Sequence, residues 1–155
     1  MVPRVRALNI LLLLAALLAT STAARSGSVK VVKVLPHLLD AQGRMALNPS
    51  LYARDAYQLE LRKHPELQSG LQFDVRWRGR GTGELKLRLE LRGAQGTTTT
   101  TTTLEKAVTH RGLFANWAKF QLTGEDWKKF GTLTAWRATL WTGDQQLTEQ
   151  KSFLW

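Results

Sequence analysis

From Gly70 to Arg92 the chain alternates apolar and polar residues on both sides of a glycine-rich link, and a period of two marks strands with one buried face. Leu71, Phe73, Val75 and Trp77 share one side, with Gln72, Asp74, Arg76 and Arg78 on the other. After Gly79-Arg80-Gly81-Thr82-Gly83, the leucines Leu85, Leu87, Leu89 and Leu91 repeat the pattern against Lys86, Arg88, Glu90 and Arg92. Two such apolar rows need a second layer to cover them. Two arrangements satisfy the pattern. In a direct hairpin with Trp77 opposite Leu85, Asp74 faces Arg88 and Arg78 faces Glu84, giving favourable cross-strand charge pairs. In a two-sheet sandwich the strands lie in opposite sheets and share only the core.

The flanking sequence supplies further short elements. Ser28 to Leu35 is rich in β-branched valine and reads as a strand ended by Pro36, followed by an apolar anchor at Leu38-Leu39 and a turn through Gly43. Asn48-Pro49 is a helix-start signal, and a helix is expected from Ser50 to Lys63, with Tyr52, Ala56 and Leu59 on one face and a stop at His64-Pro65. Tyr57, Leu59 and Leu61 also alternate, so a strand is the competing reading there. Thr97 to Thr103 is an unbroken threonine run, expected to be a tolerated loop or edge segment acting as a spacer. Phe114 to Leu122 reads as a strand, and Thr123 to Trp127 as a turn with one helical turn reaching Lys129. Thr132 to Trp141 and Gln146 to Trp155 form a terminal hairpin around Gly143-Asp144, with a bulge needed to bring the apolar residues inward. The expected fold is mainly β: an antiparallel sandwich of about seven strands with a short helical insertion near 49–63.

Residues 1–24 carry the pattern of a secretory signal peptide: Arg4 and Arg6, an apolar run from Leu8 to Ala19, and small residues at Ser21-Thr22-Ala23-Ala24. Cleavage is expected near Ala24 or Arg25, leaving 25–155 as a single domain; retention as an anchor is the alternative. The separated arginines fit the general export route rather than the twin-arginine one. An exported product, periplasmic or extracellular, follows. With no cysteine in the chain, disulfides and thiol chemistry are excluded and packing alone must hold the domain. The formal net charge is +10, or +8 once Arg4 and Arg6 leave with the leader. Such a charge favours acidic partners, either an envelope polyanion, a glycan or another exported protein; charge spread for solubility is the competing reading.

The row Leu71-Phe73-Val75-Trp77, the leucine strand, and Phe120-Gln121-Leu122-Thr123-Gly124 leading to an aromatic strand and final hairpin resemble fibronectin type III and other immunoglobulin-like sandwiches. The whole chain is also similar to bacterial exported proteins of uncharacterised function, through Arg54-Asp55-Ala56-Tyr57-Gln58 and the stretch from Ala135-Trp136-Arg137 to Ser152-Phe153-Leu154-Trp155. The resemblance implies a fold and a compartment, not an activity.

Chemical motifs are sparse. No serine sits in a nucleophile elbow, and His37, His64 and His110 lack a second ligand at metal spacing, so they are expected at the surface or in turns. No catalytic residue, metal or cofactor is assigned. Asp55 reads as a salt-bridge residue and Glu125-Asp126 as a loop pair. For binding, Arg76-Trp77-Arg78-Gly79-Arg80 combines guanidiniums, an aromatic and a turn, a composition suited to phosphate or sulfate. The expected contacts are Arg76, Arg78, Arg80 and Arg137 with Trp141 as aromatic partner. Of the six tryptophans, Trp77 and Trp136 are expected in the core, leaving Trp117, Trp127, Trp141 and Trp155 for packing or sugar stacking. Trp155 as the last strand of a membrane barrel is disfavoured, because Lys151 and Glu149 would face lipid; Phe153, Leu154 and Trp155 are expected to close the core instead. These features point to a non-enzymatic binding or structural module of the cell envelope, with no specific nucleic-acid contact and a membrane contact only through an uncleaved leader. The alternative is an enzyme or accessory subunit acting on envelope glycan.

Overall fold

A computed structural model describes residues 29–79, 84–109 and 116–155. The leader, Ser28, Arg80 with the rest of the 80–83 link, His110 and Phe114 lie outside the described residues. The elements are β1 (Lys30–Asp40), α1 (Leu51–Lys63), a 3-10 turn (Pro65–Leu67), β2 (Gln68–Arg78), β3 (Leu85–Gln95), β4 (Thr98–Val108), β5 (Asn116–Thr123), α2 (Gly124–Phe130), β6 (Thr132–Thr142) and β7 (Gln145–Lys151). These seven strands form two antiparallel sheets, ordered β1-β2-β5 and β4-β3-β6-β7, rather than a closed barrel.

The two alternating strands therefore do not pair. β2 lies between β1 and β5, β3 lies between β4 and β6, and their apolar rows meet face to face. All eight inward side chains are at most 3% exposed, which a direct hairpin, with both rows on one sheet, could not achieve without another layer. Ala118, Phe120 and Leu122 of β5, Val31 and Val34 of β1, and Ala138 and Leu140 of β6 complete the core. Each large apolar side chain buried this way contributes about 1.5 to 3 kcal/mol. The charge pairs of the hairpin are absent: Asp74 lies between Leu35 and Lys119, and Arg88 between Glu105 and Thr139.

Pro36 does not end β1 but sits inside it, opposite Phe73. β1 is an edge strand, and Pro36 shares the outward backbone orientation of Leu38, so its missing N–H breaks no ladder bond. The exposed edge at Leu38 is closed by α1. Gln58 accepts from Leu38 N–H at 2.8 Å and donates to Leu38 C=O at 2.9 Å and Met45 C=O at 2.8 Å, standing in for a neighbouring strand. The helix consequently buries Gln58 and Leu61, while Tyr52 (85% exposed) and Leu59 (49%) face solvent, opposite to the expected face. Ser50 rather than Asn48 caps the helix; Asn48 instead accepts from Ser50 N–H at 2.7 Å.

At the start of α1's approach, Asp40 is buried. Its burial alone would raise the pKa, but hydrogen bonds from Arg44 N–H, Tyr57 hydroxyl, the Arg44 guanidinium and Gln42 N–H together bring it to about 2. The threonine run is an edge strand, with Thr98–Thr103 paired to β3. It is more than a spacer, because Thr100 Oγ1 donates to Phe130 C=O at 2.5 Å and fixes the end of α2. Gly93 permits that approach: a Cβ there would lie 2.6 Å from Phe130 O and 2.7 Å from Thr100 Oγ1. α2, longer than the single turn expected, plugs this end of the sandwich with buried Phe130 and half-buried Trp127.

The terminal hairpin carries the expected irregularity, between Leu140 and Trp141. β7 stops at Lys151, and the tail leaves the sheet, with Phe153 fully exposed and Leu154 70% exposed, so neither closes the core. Trp136 packs against the core only half-buried.

The edge closure has a testable cost. Gln58→Leu strands the Leu38 N–H and C=O and should lower unfolding free energy by about 2 to 4 kcal/mol, whereas Leu59→Ala should change it by no more than about 0.5 kcal/mol. Urea denaturation of the two variants measures the difference, and equal effects would refute this assignment of the helix faces.

Candidate functional site

Because β2 and β3 lie in different sheets and turn their apolar rows inward, their charged residues project from opposite faces of the molecule. The expected contact set is divided accordingly. Arg76 and Arg78 stand on the outer face of β1-β2-β5; Arg137 and Trp141 stand on the outer face of β4-β3-β6-β7; Arg80 is outside the described residues. No single ligand surface contains them all.

On the four-stranded face the cations are already engaged. Arg137 donates from Nε and Nη2 to the two carboxylate oxygens of Glu90 at 2.7 and 2.8 Å. Arg88 Nε donates to Glu105 Oε1 at 2.6 Å, and Lys86 Nζ lies 3.4 Å from the other oxygen. Tryptophans bracket these pairs: the Arg88 guanidinium lies 4.9 Å from the Trp141 ring centre, and the Trp155 ring takes Arg92 at 4.0 Å and Arg137 at 4.9 Å. Trp155 reaches this position because the tail folds back at Ser152, whose N–H donates to Trp136 C=O and whose Oγ accepts from Trp136 N–H. Hydrogen bonds from Arg137 and from Arg88 hold Glu90 and Glu105, respectively, below the ordinary carboxylate range. A general acid for glycan cleavage needs the opposite shift. This face is a stabilising ladder.

The three-stranded face is different. Pairing sets Lys30 beside Arg78, Lys33 beside Arg76, and Arg76 beside Trp117, with Lys119 one step further along β5. Among the described residues no carboxylate lies within 4 Å of Lys30, Lys33, Arg76, Arg78 or Lys119. Trp117 is 53% exposed, and the Arg76 guanidinium lies 5.8 Å from its ring centre. Asp74 lies on this face opposite Lys119 in register, and both its oxygens accept from Gln72 Nε2, at 3.2 and 3.1 Å. Its Oδ2 also lies 3.8 Å from His37 Nε2. Five cations and one flat aromatic therefore share a surface on which, among the described residues, none of the five is ion-paired.

Lys30, Lys33, Lys119 and Trp117 join Arg76 and Arg78 only through strand register. Lys30 and Lys33 lie more than forty residues before Arg76 in sequence, and nothing local ties them to it. His37, expected at the surface, is 7% exposed. Burial lowers its pKa below the ordinary imidazole value by more than the facing Asp74 raises it. Asp55 pairs with Arg54 at 3.0 Å, and Glu125 with Lys128 at 2.7 Å. Among the described residues no group of three or more His, Cys, Asp or Glu is placed to hold a metal ion, and no helix is long and apolar enough to cross a membrane.

The class defined by this fold is a mainly-β protein of two antiparallel sheets, sandwich-like in arrangement. Comparison with protein-family models, with curated proteins and with solved structures finds no match to the chain.

Opposite electrostatic roles for the two faces predict opposite mutational profiles. Arg137→Gln should reduce unfolding free energy by about 1 kcal/mol, a modest loss because the pair is partly exposed. Arg76→Gln should leave it unchanged within about 0.5 kcal/mol. Chemical denaturation at neutral pH checks both, and a larger loss at Arg76 would reverse the assignment.

Proposed function

We propose that this chain is an exported, non-enzymatic binding module of the cell envelope that holds an acidic polymer on the outer face of its three-stranded sheet. The observation that carries this reading is the cluster Lys30, Lys33, Arg76, Arg78 and Lys119 around exposed Trp117, with no carboxylate paired to any of its cations among the described residues. Uncompensated like charges in one patch are unfavourable in the free protein and are relieved by a polyanion, while the indole offers a face for stacking. A flat sheet face suits an extended polymer better than a small substrate.

The fold reading is an immunoglobulin-like sandwich of the fibronectin type III kind. It is supported by the division of seven strands, three and four, between two antiparallel sheets that share one core. Export rests on the leader pattern of residues 1–24, with periplasmic or extracellular residence as its consequence. This reading keeps Arg76 and Arg78 and leaves out Arg137, paired with Glu90, and Trp141, both on the opposite face.

Heparin, a sulfated polyanion, is a direct probe. The protein should be retained at low salt and released as salt rises. Neutralising Lys33 and Arg76 together should lower the slope of log affinity against log salt by about 1.5 to 2, close to one for each lost contact. Arg137→Gln should leave the slope unchanged. Passage through the column at low salt, or an equal loss from Arg137→Gln, would refute the proposal.

A further inference from the structure

At the opposite end of the sandwich from the cationic cluster, a cavity of about 350 Å³ opens between β1, the last turns of α1, α2 and the start of β6. That volume falls at the lower end of the range for small-ligand sites, about 300 to 1,000 Å³. Leu38, Leu71, Leu133 and Trp127 give it apolar walls, and α2 sets the half-buried indole of Trp127 against it.

The polar groups on its walls are mostly spent. The Gln58 amide is taken by the backbone of Leu38 and Met45, and Gln68 Nε2 donates to Leu61 C=O at 2.6 Å. Burial lowers the pKa of His37, whose Nε2 lies 3.8 Å from Asp74 Oδ2. Arg62, which lines the cavity from α1, is the charged exception, with no carboxylate within 4 Å of it among the described residues. Among the described residues no Asp or Glu lines the cavity, and the fixed charge there is positive. A cationic ligand would find nothing to neutralise it and would meet Arg62 at the rim. A neutral apolar ligand would leave the guanidinium unused. An anion carrying a flat apolar body satisfies both parts of the wall, because a planar carboxylate matches the guanidinium fork while a ring covers Trp127.

We propose that this cavity is a binding site for a small aryl carboxylate, with the carboxylate on Arg62 and the ring against Trp127, Leu71 and Leu133. The site is independent of the polyanion face, sharing none of its residues.

The test compares 2-naphthoate with its neutral isostere 2-naphthamide on the full-length protein, by calorimetry and by the NMR signal of the Trp127 indole N–H. Naphthoate should bind at one site, shift that indole signal, and exceed naphthamide in affinity by about tenfold, equivalent to about 1.4 kcal/mol. Arg62→Gln, a substitution at an exposed residue, should abolish the preference while leaving the fold intact. Leu133→Trp should fill the cavity and weaken both ligands. Equal affinities for the two compounds, a preference that survives Arg62→Gln, or no binding at millimolar naphthoate would each overturn the proposal. Should Leu133→Trp fail to fold, the Arg62 arm decides alone.

Discussion

The structure depends on the meeting of two side-chain rows across the gap between sheets: Leu71, Phe73, Val75 and Trp77 on β2 against Leu85, Leu87, Leu89 and Leu91 on β3. In a chain without cysteine, this contact and the strands that widen it supply the cohesion that disulfides give many exported domains. It also fixes what the molecule shows to its surroundings. A strand cannot shift register by one residue without turning its buried row outward, so the charged residues between the apolar ones are held on two separate outer faces. Neighbouring strands then decide the fate of each face. β4 and β6 bring Glu105 to Lys86 and Arg88 of β3 and Arg137 to Glu90, whereas β1 and β5 bring more lysines and a tryptophan to the charges of β2.

The edges and ends of the sandwich are closed by side chains that behave as pieces of backbone. Gln58 supplies an amide where β1 has no neighbour, Thr100 fastens α2 beneath β3 and β4, and Ser152 turns the tail so that Trp155 lies under Arg92 and Arg137. These polar contacts let short elements cover exposed backbone without enlarging the core. The cavity lies beside this closure, with Gln58 and Arg62 of α1 among its lining residues.

Period-two alternation made β2, β3 and the mainly-β architecture readable, since burial of one strand face leaves its mark on every second residue. The same alternation could not say whether the two rows lay side by side or face to face, because both place the leucines inward. The helix at Leu51–Lys63 was readable from its start and stop, but its buried face was not: the decisive contact is a glutamine whose partners lie twenty residues away on another element. Pro36 misled for a related reason, since a proline is a strand breaker only where its N–H is needed. At the surface, Arg76 and Arg78 stood out locally, while Lys33 and Trp117 became their neighbours only through pairing with β1 and β5. Arg137 is equivalent to them in composition and differs in having Glu90 opposite it.

The central claim is that the two faces, both rich in cations, differ in whether carboxylates pair with those cations. Mapping amide and side-chain chemical shifts while titrating a short heparin oligosaccharide tests it most directly. The account predicts changes concentrated at Lys33, Arg76, Arg78, Trp117 and Lys119, with the Glu90, Arg137 and Trp155 signals unmoved. Changes centred on Arg88, Arg137 and Trp141 would contradict it.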